Sequence, residues 1–401
     1  MHVKANLKLM KEINTASILN WLHREGRLTR AELARATKLS SATVSALIEE
    51  LIGQDLVEEI GAKPSAGAGR KAISLQINKD GGYVIGISIG NSQLICAVLN
   101  LHGQCVAEFE SRIAVGNDSM AEQIHQALAD CANQVQELNA GSVMGVGIAA
   151  PGIIDERTES VLYSSLLKLN DFNLRKQVSA FFPDVPIRIV NDCNAAAFAE
   201  HYSGAGKGRG SLVYVTINEA IGAGIVLDSR IHAGFGGGAG EIGHLSVRRD
   251  GQVCNCGQRG CVETLLASPF VLSQCRTAAL ERGLAPPDTF DEALARYESG
   301  EAWLDPIFDQ AVEAARLTIA GVVQLISPEV VVIEGWTNRS PKVSSKLRAE
   351  LMRTALPLPF TPDRLLASSF GEKGALYGSA TLMLEQMFHS TLWNHSGGHR
   401  L

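Results

Sequence analysis

A mixed α/β protein, with a small helical head ahead of a larger body, follows from two patterns in the chain. Three helical segments and a strand pair fill the first eighty residues. Strands then alternate with helices over the remaining 320. A third observation concerns chemistry: one histidine and three cysteines fall within eighteen residues of the body. At 401 residues, 46% hydrophobic and 19% charged, the chain has room for two or three domains. Its net charge of -6 excludes a uniformly basic nucleic-acid binder. The charge is uneven, however. Residues 1–80 hold 12 Lys+Arg against 9 Asp+Glu, a net of +3, which leaves about -9 for the body by subtraction from -6. A basic head on an acidic body suits a head that meets phosphate.

No secretory signal is predicted, because Lys4, Lys8 and Lys11 have no long apolar stretch behind them. No apolar run reaches membrane-spanning length, so the expected location is the cytoplasm, with no membrane partner. In that reducing compartment the eight cysteines are expected as thiols. Cys96, Cys105, Cys131, Cys193 and Cys275 are scattered and read as core thiols.

The first helix carries Ile18, Leu19 and Leu22 at helical spacing over residues 14–22. A second starts after Thr29, a good N-cap, with Ala31, Leu33, Ala34 and Ala36. A break at Lys38-Leu39 precedes a third, which opens with Ser40 and Ser41. That helix sets Val44, Leu47, Ile48 and Leu51 on one face and Ser41, Thr43 and Ser45 on the other. Strands at 56–60 and 72–75 then flank a glycine-rich loop ending in Arg70-Lys71. This order is the winged helix-turn-helix pattern. A major groove admits one helix, and short hydroxyl side chains let that helix approach closely. A basic loop tip can follow phosphate or enter a narrow minor groove. Arg30, Ser40, Ser41, Thr43, Ser45, Arg70 and Lys71 are therefore the expected contacts with a double-stranded DNA operator. Glu49 and Glu50 would repel phosphate, which leaves base contacts to the first half of the third helix. The competing reading is a small helical protein-interaction module with a solvated basic face.

Body strands are expected at 83–90, 94–99, 143–148, 187–190, 212–217, 225–227 and 330–333, with helices at 120–138 and 311–326. Gly81-Gly82 marks the composition break before them, and no internal repeat of short period is evident. His244, Cys254, Cys256 and Cys261 offer one imidazole and three thiolates, a set that suits a closed tetrahedral structural zinc site. Gly257 and Gly260 let the chain turn tightly enough for Cys256 and Cys261 to reach one ion. The alternative is a metal-free loop of buried thiols.

The order Gly243-His244, then Cys254-Asn255-Cys256-Gly257-Gln258-Arg259-Gly260-Cys261-Val262-Glu263, resembles the signature of the ROK family (repressors, open reading frames, kinases). So do Ala150-Pro151-Gly152-Ile153-Ile154-Asp155, Asn191-Asp192-Cys193-Asn194-Ala195-Ala196 and the glycine-rich approach over 234–241. The resemblance covers 81–401, and the winged head matches the repressor branch, whose members regulate glucose-uptake and N-acetylglucosamine genes. It implies a two-lobed fold of the actin-like ATPase and sugar-kinase type with a sugar cleft. The domains expected are a head over 1–80, a first lobe over 81–195 completed by a C-terminal helix over 375–401, and a second lobe over 196–374 with the zinc site and an oligomerisation surface. The resemblance also implies that Asn191, Asp192, Glu241, His244 and Glu263 bind sugar hydroxyls, with His244 serving zinc as well. Carboxylates, an amide and an imidazole suit vicinal hydroxyls, and a buried member left unpaired would be penalised.

Three departures from the kinase pattern argue against ATP. The first-strand turn is Ser88-Ile89-Gly90-Asn91-Ser92, where the kinases carry an Asp that organises Mg²⁺. The phosphate loop is Thr216-Ile217-Asn218-Glu219-Ala220-Ile221-Gly222-Ala223-Gly224, with two early glycines lost and a carboxylate gained. The late Gly-Gly is Glu334-Gly335-Trp336, which places a carboxylate and an indole where adenosine would lie. Phosphoryl transfer depends on positioning and charge neutralisation, the parts removed here. The segment 163–172 also differs from the family, so the ligand need not be glucose or N-acetylglucosamine. Lys168 in it reads as a solvated lysine, with pairing to a ligand anion as the sharper alternative.

The expected function is a sugar-responsive transcriptional regulator without catalytic residues, a repressor with activation as the open alternative, acting as a homodimer or homotetramer on a near-palindromic operator. Its effector would be a sugar or sugar phosphate. The alternative is an active sugar kinase carrying a DNA-binding head. Some relatives answer to a sugar-transport phosphotransferase protein, and that partner stays open. The tail 395–401 reads as disordered.

Overall fold

The computed structural model describes residues 7–62, 73–90, 92–138, 142–155, 157–164, 167–351 and 360–389. Arg70, Lys71, Lys4, Asn91 and the tail 395–401 lie outside the described residues. The chain divides into two compact units. One comprises 1–150, 155–190 and 379–401, the other 151–154 and 191–378.

The head belongs to the first unit. Helix α1 spans Leu7–Glu25, longer at both ends than its apolar spacing marks. A two-residue strand, β1 (Leu28–Thr29), leads into α2 (Arg30–Thr37), and α3 (Ser41–Gly53) follows. Thr29 caps α2 through a full capping box with Glu32, and Ser40 caps α3 through the Thr43 N–H. Between these helices Lys38 takes a left-handed conformation, φ 60°. The wing strands β2 (Val57–Ala62) and β3 (Ile73–Ile77) pair antiparallel, and β1 adds to β3 as a third strand.

Behind the head, β4 (Tyr83–Ile89), β5 (Gln93–Asn100), β6 (Cys105–Arg112), β7 (Val143–Ala150) and β11 (Ile187–Asn191) form a sheet in the order β11-β7-β4-β5-β6. Strand β4 is antiparallel to β5 and parallel to β7. Helices α4 (Asn117–Glu137) and α5 (Leu174–Ser179) and the short strands β8 (Ile153–Asp155), β9 (Ser160–Ser164) and β10 (Leu169–Asn173) fill the connections. Every residue of β4 and β7 is buried, as expected for strands covered on both faces.

The head and this sheet share one core. Ile18, Leu19, Leu22, Leu47 and Leu75 of the head cluster with Val84, Leu101 and Met144, and with Met383, Leu384, Met387 and Phe388 of the last helix. The glycines at the junction hold it tight. A Cβ on Gly81 would lie 2.0 Å from the Asp55 carbonyl oxygen, and one on Gly82 would lie 2.2 Å from the Met144 sulfur.

The second unit repeats the arrangement. Strands β12 (Leu212–Ile217), β13 (Ile221–Leu227), β14 (Arg230–Ile231), β15 (Val330–Gly335) and β16 (Leu365–Ala367) run in the order β14-β13-β12-β15-β16. Here too the first strand in the chain, β12, is antiparallel to the next and parallel to β15. In each sheet the first strand thus pairs antiparallel with the next and parallel with a later one, the same order built twice from unlike sequences. Helix α6 (Asp192–Tyr202) packs on β12 and β13. The helices α7 (Glu263–Leu266), α8 (Ser268–Glu281), α9 (Phe290–Glu298), α10 (Asp305–Ile326), α11 (Trp336–Arg339) and α12 (Pro341–Leu351) follow. Helix α13 (Gly374–His389) closes the described fold. The unit's core gathers Val213, Val215, Ile333, Phe308, Ile319 and Trp336 among others.

Candidate functional site

His244 closes a short 3-10 turn over Ile242–His244, and the three cysteines lie on the loop that follows. Bridges between Ser246 and Cys261 and between Val253 and Arg259 fold this loop back on itself. Glycine is required at its tightest point, since a Cβ on Gly260, at φ 69°, would lie 1.6 Å from the Arg248 carbonyl oxygen. The ligating atoms of His244, Cys254, Cys256 and Cys261 all fall within 4.8 Å of one another. Cys254 Sγ is 3.6 Å from His244 Nδ1, and Cys256 Sγ is 3.7 Å from Cys261 Sγ. Two thiolates about 2.3 Å from one tetrahedral zinc would stand roughly 3.8 Å apart. Burial pushes the Cys254 thiol up to about 12. A thiolate there therefore calls for a cation beside it.

The acidic residues border this cluster. Glu263 is buried at the start of α7, its Oε1 3.7 Å from Cys254 Sγ. Glu241 is exposed, with Oε2 3.8 Å from His244 Nε2. One ring nitrogen of His244 thus faces sulfur and the other faces a carboxylate. The loop leading to Glu241 needs its glycines, as a Cβ on Gly240 would lie 2.0 Å from the Ala223 carbonyl oxygen.

Asp192 lies half-buried in the first turn of α6, where its Oδ1 accepts the Cys193 N–H at 2.9 Å. Burial, and after it the charge of Glu241, hold its carboxyl above the usual range. The N-cap of α6 is Asn191. Asn191 Oδ1 accepts the Asn194 N–H at 3.2 Å and its Nδ2 donates to the Gly152 carbonyl at 3.4 Å. Its amide is therefore engaged within the protein. Sequence reasoning passed over Asn194, which is 3% exposed with an Oδ1 that has no partner among the described residues. Its only signal was its place three residues after Asn191.

On the loop corresponding to the phosphate loop, Asn218 to Ala220 make a tight hairpin turn between β12 and β13. Glu334, beside Thr216 in the parallel β12–β15 ladder, reaches across it. Its Oε2 accepts from the Thr216 hydroxyl at 2.9 Å and from the Asn218 amide at 2.8 Å. Burial raises its carboxyl above its ordinary value. Trp336 does not accompany it. The chain turns at Gly335, φ 119°, and the indole enters the core of the unit, its N–H donating to the Leu266 carbonyl at 3.2 Å. There it lies edge-on to Phe290 and Phe308. Thus the carboxylate faces the loop and the indole does not, because a left-handed glycine reverses the direction of the next side chain.

Glu334→Gln keeps an acceptor for both donors and removes the buried charge. The folded carboxyl titrates above 4.5, so the native state binds its proton more tightly than the unfolded chain. Wild-type stability therefore falls as pH rises from 4.5 through the raised value, and the variant escapes that loss. Thermal melts should place Glu334→Gln a few degrees above wild type at pH 7.5 and level with it below about 4.5. Equal melting at pH 7.5 would mean the buried charge costs nothing.

In the head, the Ser40 and Thr43 hydroxyls lie 2.8 Å apart and are spent on each other in the cap of α3. Ser41 is exposed and Ser45 half-buried on the same helix. Arg30 pairs with Glu59 of the wing at 2.8 Å, and Lys11 of α1 pairs with Glu50 of α3 at 2.7 Å. The second pair offsets one of the two carboxylates that would repel phosphate. Exposed Arg35 and Lys38, at and beside the turn between α2 and α3, are cations that the sequence pattern did not single out.

The family model described as ROK family matches residues 84–386, and that of the MarR family matches 12–71. The chain is 26% identical over 387 residues to the xylose repressor of Bacillus subtilis, covering 95% of this chain and 97% of that one. It is 24% identical over 396 residues to the DNA-binding transcriptional dual regulator NagC of Escherichia coli, covering 97% of each. A solved ROK family transcriptional regulator, described as a homologue of the E. coli MLC protein, superposes with TM-score 0.82 at 23% identity. It covers 96% of this chain and 98% of that one. The fold is therefore a winged helix-turn-helix joined to the actin-like sugar-kinase fold.

Proposed function

The chain belongs to the ROK family, and from that premise we propose that it is a sugar-responsive DNA-binding repressor of carbohydrate genes that turns over no ATP. One observation carries the reading: the polar set of Asp192, Glu241, His244 and Glu263 is kept in one unit, while Glu334 fills the hairpin where a kinase would hold phosphate. Ligand binding is retained in that arrangement and phosphoryl transfer is not. A triphosphate would meet a buried carboxylate, and the Thr216 and Asn218 donors are already occupied.

In this reading His244, Cys254, Cys256 and Cys261 hold a structural zinc that closes the loop and fixes His244, whose second nitrogen faces the sugar. Asp192, Glu241 and Glu263 pair with sugar hydroxyls, and Asn191 positions Asp192 by capping α6. On the DNA side, Ser41 and Ser45 reach base edges, while Arg30, Arg35, Lys38 and the wing residues Arg70 and Lys71 meet phosphate. Two heads of a homodimer or homotetramer occupy a near-palindromic operator in the cytoplasm. Sugar acts through a difference in its affinity for DNA-competent and DNA-incompetent forms.

The test is fluorescence anisotropy of the full chain on DNA from upstream of its own gene, with random DNA as control, over a salt series. Selective binding with a steep salt slope, relieved by D-xylose, D-glucose or N-acetylglucosamine, is the expected result. A coupled assay with the same sugars and ATP should show no turnover. Turnover that disappears in Asp192→Ala would replace this reading with a kinase carrying a DNA-binding head.

A further inference from the structure

Phe235 stands apart from the other aromatic residues of the second unit. Its side chain is fully exposed, whereas every other Phe, Tyr and Trp described in that unit is buried or half-buried. It opens a short 3-10 turn, Phe235–Gly237, and glycines surround it: Gly234, Gly236 and Gly237 stand at φ 71°, 63° and 78°. A Cβ on Gly236 would meet open space, so glycine serves the backbone conformation there and not a close approach. The base of the loop is firmly tied. The Ala239 N–H donates to the Ala233 carbonyl at 3.0 Å, and the Ala223 N–H donates to the Gly240 carbonyl at 2.8 Å, one residue before Glu241. On its other side, a Cβ on Gly237 would lie 2.9 Å from the Ile154 carbonyl oxygen. Asn191, which caps α6 ahead of Asp192, donates to the Gly152 carbonyl of that same segment. The loop that carries Phe235 is thus tied on one side to Glu241 and on the other to the segment beside Asp192, all within the second unit.

The polar set of Asp192, Glu241, His244 and Glu263 answers only the hydroxyls of a sugar. A pyranose ring also has faces made of C–H bonds, whose hydrogens carry partial positive charge because the ring carbons bear oxygen. The face of an aromatic ring is negative, so it is the matching surface, and stacking takes both apolar faces out of water. Ligand sites combine such apolar walls with a few placed polar groups. We propose that Phe235 is the apolar contact of the effector site, folding over the C–H face of a sugar whose hydroxyls the polar set holds. Gly234 and Gly236, on either side of the ring, absorb the backbone rotation that brings it in. The inference rests on the sugar-binding function proposed above and deepens it by naming the ligand class as a neutral pyranose, whose ring presents a face to stack on. It also gives the glycine-rich approach to Glu241 a task of its own, since a stiffer loop would hold the ring in solvent.

The test is calorimetry and fluorescence of the full chain with D-xylose, D-glucose and N-acetyl-D-glucosamine. Phe235→Ala should weaken whichever of these sugars wild type binds by about tenfold or more, while Phe235→Tyr and Phe235→Trp stay within about threefold of wild type. Because the ring is exposed, all three variants should melt within about 1 °C of wild type when no sugar is present. Read above the baseline of the four native tryptophans, the new indole of Phe235→Trp should be open to acrylamide without sugar. With sugar it should become shielded and emit at shorter wavelength. An alanine variant that binds sugar like wild type, or an indole that stays open with sugar bound, overturns the contact and leaves the sugar reading standing. An indole already shielded without sugar, and released on dilution, assigns the ring to a contact between copies of the chain and overturns the proposal as well. Wild type that binds none of the three sugars overturns the sugar reading and this contact together.

Discussion

Asp192→Ala should leave operator affinity within about twofold and abolish release by sugar, removing a coupling of roughly 5–150-fold. The carboxylate sits in the first turn of α6, where the Cys193 N–H uses one oxygen. A sugar hydroxyl donating to this carboxylate would add a charge-assisted bond of roughly 1.5–3 kcal/mol. Its loss also leaves a buried hydroxyl of the sugar unpaired, so affinity should fall by about a hundredfold or more when both penalties act. Asn191 caps the helix, so α6 should survive the change, and DNA binding with it. Calorimetry with the sugar that releases wild type, paired with anisotropy on DNA, separates the two effects. A variant that still binds and responds like wild type would remove Asp192 from the site.

Cys261→Ser should release one zinc per chain and lower the melting temperature by about 10 °C or more, an effect of several kcal/mol in a chain of this size. The loop from His244 to Cys261 holds few buried apolar residues of its own; Leu245, Val247 and Val253 are all exposed. Closing it without metal would order many residues around Cys254 and Cys261, whose burial disfavours their thiolates, with little apolar burial in return. Sugar response should be lost as well, because His244 would no longer be fixed. Elemental analysis of metal content and a thermal melt, each with and without a chelator, check this. Wild type free of zinc, or a variant that keeps both metal and melting point, would refute a structural zinc.

Much of the head could be read from the chain because its signals are local. Thr29 and Ser40 cap by contacts three residues away, and the apolar faces of α2 and α3 repeat at helical spacing. The His/Cys cluster is equally local, since a short loop brings its four ligands together. Features that depend on distant partners could not be read this way. Strand β1 is two residues long and exists because β3 lies beside it. The twofold use of one sheet order leaves no trace in the sequence, because burial asks for apolar residues and not for particular ones. Trp336 followed the family alignment to the nucleotide side in sequence, whereas the positive φ of Gly335 turns it into the core. The engagement of Asn191 with Gly152 joins residues 39 apart in the chain.

The shared core of the head has a consequence for modularity. Cut after residue 80, the head would lose Val84, Leu101, Met144 and the four apolar side chains of α13, and its inner face would meet water. It is therefore not a cassette that can be moved between proteins by joining sequences end to end. A graft that worked would have to bring the rear seam along, written partly at the far end of the chain. New operator preferences would then arise most readily on the outward face of α3, where Ser41, Ala42 and Ala46 are exposed and touch none of that seam.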